Sequence, residues 1–218
     1  MTQEIAERLL SFGVSTISDA LDSLEIEGQA IGILPFAHNV SFAGTAFTVR
    51  MAPVGLTGGS VGDYIDDVPP GHVVVIDNNG RMDSTVWGDI LTLTAHQNKI
   101  SATVIDGVAR DISESLILSY PIFARGHTMR TGKDRVTAQA YNEPVQIAGI
   151  RVEAGDWIVG DADGVVVLPK EKLIEICTSA AAIKRAEDEI RNAVRNGARL
   201  DEARKLGKYH SLQSKSAK

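Results

Sequence analysis

The chain reads as an α/β protein: a parallel sheet at its centre, a second β layer after it, and a long helix near the C-terminus. Three observations predict this. Between residues 72 and 124, short apolar runs typical of buried strands alternate with helical segments, the pattern of βαβ units around a parallel sheet. Between 138 and 168, short runs are separated by Gly and Asp instead, as in antiparallel hairpins. From Glu171 to about Leu206 the pattern is helical, with charges on the faces that the apolar residues leave. At 218 residues the chain can bury one substantial core, so a single domain is expected over residues 1–207, followed by a polar tail at 208–218.

Each element has its own local justification. Ser15 or Thr16 is expected to cap a helix running to Leu21, with Asp19 in its first turn, where the helix dipole favours a carboxylate. Phe42–Arg50 alternates and is rich in β-formers, and Gly44 within it marks a bulge or a close backbone approach. Gly55–Gly62 is a glycine-rich loop without the Lys-Ser/Thr ending of a phosphate-binding loop. The turn Pro69-Pro70-Gly71 leads into the strand His72–Asp77, and Asn78-Asn79-Gly80 forms a second turn. Thr85–Gln97 is expected as a helix with Val86, Ile90, Leu93 and Thr94 on one face. Ser101–Ile105 is a buried strand, Asp106-Gly107 a turn, Ile112–Ser119 a short helix and Pro121–Ala124 a third strand. Ala138–Ile147, Gly149–Val152, Trp157–Gly160 and Gly164–Leu168 supply the second layer, which Pro169 ends. In the last helix, Ile183, Ala186, Ile190 and Val194 share a face that packs on its own domain or on a neighbouring subunit.

Composition narrows the function classes. A net charge of −6 argues against a broad nucleic-acid surface, which needs clustered Lys and Arg. No apolar run approaches the roughly 18 residues of a membrane span, and Met1-Thr2-Gln3-Glu4-Ile5 does not begin a secretory signal. The single cysteine, Cys177, excludes a disulfide framework, and a reduced cytoplasm is the expected location. His38, His72, His96, His127 and His210 are scattered without ligand spacing, so no zinc site is expected. There is no Gly-x-Ser-x-Gly, and Cys177 has no neighbouring base in sequence.

Two stretches carry candidate chemistry, because ligands of open α/β sheets gather at the carboxyl ends of strands. In Trp87-Gly88-Asp89-Ile90-Leu91, a helix starting near Gly88 would present unpaired backbone N–H groups to a carboxylate or phosphate. Asp106-Gly107-Val108-Ala109-Arg110-Asp111 places two carboxylates and a guanidinium at the end of a buried strand. Read from the residues alone, Asp111 is equally a helix N-cap and Arg110 half of a surface ion pair. The functional reading is that Arg110 grips a carboxylate or enolate oxygen, while Asp111 offers a hard oxygen ligand to Mg²⁺ or Mn²⁺.

At these residues the chain resembles the 4-hydroxy-4-methyl-2-oxoglutarate/4-carboxy-4-hydroxy-2-oxoadipate aldolases and their relative, the regulator of ribonuclease E activity A. The matching stretches are Ser15–Leu21, Phe42–Val49, Pro70–Asp77, Trp87–Leu91, Ser101–Asp111, Pro121–Gly126 and Gly155–Pro169. Asp-Gly-x-x-Arg-Asp with an upstream Trp-Gly-Asp-x-Leu is the most specific part. The resemblance implies a swivelling β/β/α domain assembled as a homotrimer or hexamer. It implies a class II aldolase that uses Mg²⁺ or Mn²⁺ to release pyruvate from such a 4-hydroxy-2-oxo acid, with oxaloacetate decarboxylation as a side activity. Asp111 would then bind the metal, and Arg110 would hold the pyruvyl oxygen. The amides of Gly88, Asp89, Ile90 and Leu91 would bind the pyruvyl carboxylate, and Asp89 would support the metal's waters or a catalytic water. A glutamate from a neighbouring subunit's C-terminal helix, Glu187 or Glu189, would complete the site.

The same resemblance allows a non-catalytic regulator that binds and inhibits a ribonuclease, or a lyase of this fold acting on another oxo or hydroxy acid. The regulator lacks the second carboxylate of the Arg-Asp pair, which Asp111 supplies here. A methyl-donor site, suggested by the methyltransferase label that such sequences often carry, is not expected, because no glycine-rich nucleotide loop follows a first strand.

Overall fold

The computed structural model describes residues 2–56 and 58–206; the expected tail at 208–218 and His210 lie outside the described residues. Helices α1 (Thr2–Phe12) and α2 (Val14–Ser23) open the chain, followed by the short strand β1 (Leu34–Pro35) and the long strand β2 (Phe42–Pro53). A 3₁₀ turn (Asp63–Asp67) leads to β3 (Val73–Thr85), α3 (Asp89–Gln97), β4 (Ala102–Ala109), α4 (Ile112–Leu118) and β5 (Ile122–His127). Then come β6 (Val136–Tyr141), β7 (Val145–Ile147), β8 (Ile150–Val152), β9 (Trp157–Asp161) and β10 (Gly164–Leu168). The last helices are α5 (Leu173–Arg195) and α6 (Leu200–Leu206).

The β2, β3, β4 and β5 strands pair in parallel, as the alternation of strands and helices predicts. β2 spans two sheets: its first residues pair antiparallel with β9, its middle with β3 and its end with β6. At its start, Gly44 faces the Gly71 carbonyl so closely that no Cβ fits, which is the close backbone approach expected there.

The central strands are buried on both faces, and their side chains alternate between the two with the two-residue period of a pleat. Phe47, Val74, Ile76 and Ile105 face α3, α4 and the 3₁₀ turn. Ala46, Val73, Val75 and Val104 face the other way, onto β7, β8, β9 and β10. Beyond that second β layer, α1, α2 and α5 cover Trp157, Val159, Val166 and Leu168. The result is a β/β core with helices outside each face and the expected long C-terminal helix, interrupted at Gly197, where φ is 88°. Among the described residues, no helix is long and apolar enough to cross a membrane.

Several local expectations are corrected. α2 starts at Val14 after Gly13, whose φ of 82° suits glycine. Its first amide is capped from a distance, by Asp161 Oδ2 at 2.8 Å from Val14 N, so Asp19 falls in the second turn. Asn78-Asn79-Gly80 does not end its strand. Asn79 and Gly80 take positive φ of 54° and 64°, and β3 continues through this bulge to Thr85. β4 likewise passes through Asp106-Gly107 to Ala109. The helix expected from Thr85 therefore starts only at Asp89, with Val86 and Trp87 buried before it. Ile90 and Leu93 are exposed, whereas Thr92 and Ala95 are the buried residues of α3.

Candidate active site

A cleft of about 450 Å³ opens where β3 gives way to α3 and β4 to α4. One wall is the junction Thr85–Leu91 with Thr94, and the other is the loop and turn from Ser60 to Asp66; Arg110, Thr131 and Gly132 complete the lining. The predicted residues Gly88, Asp89, Ile90, Leu91 and Arg110 thus share one cavity at the carboxyl ends of parallel strands.

Gly88 is the N-cap of α3 in an extended conformation, φ −153°. Its lack of a side chain is required by what lies over it: a Cβ here would stand 2.8 Å from Asp111 Oδ2 and 3.4 Å from Arg110 Nε. The two strand ends are thereby brought into contact across the cleft mouth, and Arg110 N donates to the Trp87 carbonyl at 3.0 Å. The first-turn amides of α3 have no carbonyl acceptor within the helix. Asp89 uses one of them itself, since its Oδ1 accepts from Ile90 N at 2.8 Å. A ligand carboxylate entering this turn meets the dipole's positive end but must displace Asp89 from Ile90.

Behind the turn, a buried hydrogen-bond chain holds it in place. Thr92 Oγ1 donates to the Gly88 carbonyl at 2.9 Å and accepts from Trp87 Nε1 at 2.9 Å. Trp87 stacks on Tyr120, whose hydroxyl shares a hydrogen bond with Thr103 at 2.9 Å.

Asp111 occupies the N-cap position of α4, yet its side chain makes no capping bond. Its φ of 55° turns the carboxylate back to Arg110 Nε, at 3.1 Å, beside Gly88. Both side chains remain about two-fifths exposed. The pair is therefore not an interior ion pair, and Arg110 faces the cleft. Among the described residues, no three His, Cys, Asp or Glu side chains converge as a closed metal cluster. A single carboxylate in an open, glycine-lined position suits a hard cation that keeps most of its waters, as Mg²⁺ does.

Other sequence candidates fall elsewhere. Asp106 is buried, pairs with Arg125, and accepts from Ala148 N at 2.9 Å. With Asp77, which accepts from Gln146 N at 3.2 Å, it pins the β7 strand to the central sheet and takes no part in the cleft. Glu187 and Glu189 lie on α5, in the helical layer beyond the second sheet, and do not line this chain's cleft. Glu187 Oε2 is held by Arg191 at 2.7 Å. Cys177 is buried, and burial pushes its thiol up, against a nucleophilic role. Five lining residues fall in no element or motif that the sequence marks: Asp63, Ile65, Asp66, Thr131 and Gly132. The glycine-rich loop Gly55–Gly62 was the one available signal, since loops of that kind commonly border sites.

A cleft at the carboxyl ends of a parallel sheet, with Arg110 facing the N-terminal turn of α3, defines a small α/β module with one ligand-sized site at that edge. Residues 14–167 match the RraA-like family, described as Aldolase/RraA, and the chain belongs to it. It is 38% identical over 203 residues to Protein DlpA of Legionella pneumophila, which covers 92% of this chain; the chain spans 33% of that protein's length. It is 37% identical over 181 residues, and 80% of each chain, to a Halalkalibacterium halodurans protein named "Putative 4-hydroxy-4-methyl-2-oxoglutarate aldolase". A crystal structure of an uncharacterized protein from Pseudomonas syringae superposes with a TM-score of 0.87 at 40% identity, covering 94% of this chain and 98% of that one.

Proposed function

We propose that the protein is a divalent-metal-dependent carbon–carbon lyase that releases pyruvate from a 4-hydroxy-2-oxo acid, with oxaloacetate decarboxylation as a second outlet. The observation that carries this reading is that Arg110 lines the cleft beside the glycine-started first turn of α3, while Asp111, outside the lining itself, is bonded to Arg110 and lies against Gly88. The aldolase name borne by a relative that covers four-fifths of the chain supports it.

In this reading the pyruvyl carboxylate lies on the amides of Gly88, Asp89, Ile90 and Leu91, drawn by the helix dipole. It takes over Ile90 N–H from Asp89. Asp89, released, accepts a proton from the C4 hydroxyl through a water. Arg110 donates to the 2-oxo oxygen and stabilises the negative charge that gathers there as the C3–C4 bond breaks; the C4 oxygen leaves as the carbonyl of the second product, and the proton taken up by Asp89 returns through the water to C3, giving pyruvate. Asp111 would hold Mg²⁺ or Mn²⁺, which when bound supplies Lewis-acid polarisation of the 2-oxo group. Glu187 or Glu189, neither of which reaches this chain's cleft, would act from α5 of a neighbouring copy in a homotrimer or hexamer.

The test is pyruvate formation from 4-hydroxy-4-methyl-2-oxoglutarate and from oxaloacetate, with Mg²⁺ and with EDTA. Mg²⁺-dependent pyruvate supports the reading. No pyruvate from either substrate, together with tight binding to a ribonuclease, turns the assignment to the regulator.

A further inference from the structure

The cleft holds a hydroxyl that the fold does not use. Thr85, the last residue of β3, lines the cleft and is 3% exposed. It stands where the α3 wall meets Thr131 and Gly132. Thr85 N donates to the Arg130 carbonyl at 3.1 Å, and a Cβ on Gly132 would overlap the Thr85 carbonyl. The Thr85 side chain makes no hydrogen bond among the described residues. Buried threonines on the neighbouring elements are paired. Thr48 Oγ1 donates to the Glu143 carbonyl at 2.6 Å, Thr92 Oγ1 donates to the Gly88 carbonyl at 2.9 Å, and Thr103 shares a hydrogen bond with Tyr120 at 2.9 Å. Between the two backbone contacts of Thr85 lies Thr131, also in the lining. Its Oγ1 accepts from Lys133 N at 3.2 Å, which leaves its proton to donate.

A buried hydroxyl without a partner destabilises the fold unless something in the cleft supplies one. Valine has the same branched shape and suits a strand as well, so packing alone does not call for threonine at this position. The exposed carboxylates of the lining, Asp63, Asp66 and Asp89, keep their water, whereas Thr85 has little water to bond. A neutral O–H donor in such a place answers an anionic oxygen, and the oxo acids of the proposed reaction bring carboxylates. We infer that Thr85 is a substrate-contacting residue whose hydroxyl, beside that of Thr131, donates to a carboxylate oxygen of the bound oxo acid. This rests on the aldolase reading and adds a contact to it.

The experiment compares the wild type with Thr85→Val, which removes the hydroxyl, and Thr85→Ser, which keeps it. Three measurements are made: kcat/KM for pyruvate release from 4-hydroxy-4-methyl-2-oxoglutarate, calorimetric titration with pyruvate in Mg²⁺, and thermal unfolding without ligand. Thr85→Val is expected to lower kcat/KM by about tenfold or more, chiefly through KM, and Thr85→Ser to restore most of that loss. Thr85→Val should melt no lower than the wild type, because the hydroxyl it removes has no partner in the free protein. Weaker pyruvate binding in Thr85→Val supports the contact and places it at the pyruvyl carboxylate. Unchanged pyruvate binding beside a lowered kcat/KM supports it at the second carboxylate. An unchanged kcat/KM in Thr85→Val, a loss that Thr85→Ser does not restore, or a loss that comes with a lower melting temperature overturns this inference alone. Wild-type protein that releases no pyruvate overturns the aldolase reading and this inference with it.

Discussion

Arg110 Nε lies 3.1 Å from Asp111 Oδ2, between consecutive residues, because Asp111 adopts a left-handed backbone that turns its carboxylate back. With side chains 39% and 41% exposed, such a pair contributes about 0–1 kcal/mol to stability. Asp111 also forgoes the cap that its position offers α4. The charge therefore adds little to the fold.

Asp111→Asn should therefore separate activity from stability. Asparagine tolerates the left-handed conformation, so the melting temperature should stay within about 3 °C of wild type. Pyruvate release should fall by about 10³-fold. Calorimetry and a coupled kinetic assay on the same preparation check both.

Gly88→Ala should act through contact alone. The φ of −153° strains no residue, but the added methyl would press on Asp111 Oδ2 and Arg110 Nε. A displacement of that size should lower kcat/KM by about 100-fold, with circular dichroism unchanged.

Thr92→Val should weaken the support behind the site. It leaves the buried Trp87 N–H without its acceptor, at a cost of about 1–3 kcal/mol, and frees the Gly88 carbonyl from a second donor. Denaturant unfolding should report that loss, and kcat should fall with it. Thr92→Ser, which keeps the hydroxyl, should restore kcat.

Alkaline stability should depend on two tyrosines. Burial, ahead of every other influence, raises the phenols of Tyr64 and Tyr120 above their ordinary value near 10. The folded state then holds these protons more tightly than the unfolded chain. Their contribution is full below pH 10 and is lost as pH rises above it, at about 1.4 kcal/mol per pH unit for each. Tyr64→Phe should flatten this slope with little cost at pH 7, since the Tyr64 hydroxyl is buried without a hydrogen-bond partner. Tyr120→Phe should flatten it too, but at a cost of about 1 kcal/mol for the bond to Thr103. Urea melts at pH 7, 10 and 11 check the difference.

Local pattern carried the layered fold and the cleft's near wall. The parallel strands, the hairpin layer and the long helix each have a period of their own, and Gly88 marked the start of α3 because a helix beginning there exposes its amides. What local pattern could not carry was set by contacts distant in sequence. β3 outruns its Asn-Asn-Gly signal because positive φ at Asn79 and Gly80 makes a bulge inside the strand, not a turn after it. Asp106 resembled a site carboxylate, but the β7 strand, some forty residues later, claims it. Of the far wall of the cleft, only Ser60–Gly62 belong to a marked segment, the glycine-rich loop; Asp63, Ile65, Asp66, Thr131 and Gly132 carry no motif, and only folding brings them opposite α3.

The central claim is that Arg110 and Asp111 together support a pyruvate enolate. Proton NMR of pyruvate in D₂O with Mg²⁺ and enzyme tests it without any choice of aldol substrate, by following deuterium exchange into the methyl group. The account predicts enzyme-catalysed exchange in the wild type that EDTA abolishes and that both Arg110→Ala and Asp111→Asn lose. Exchange that persists in either variant, or no exchange in the wild type, would contradict it.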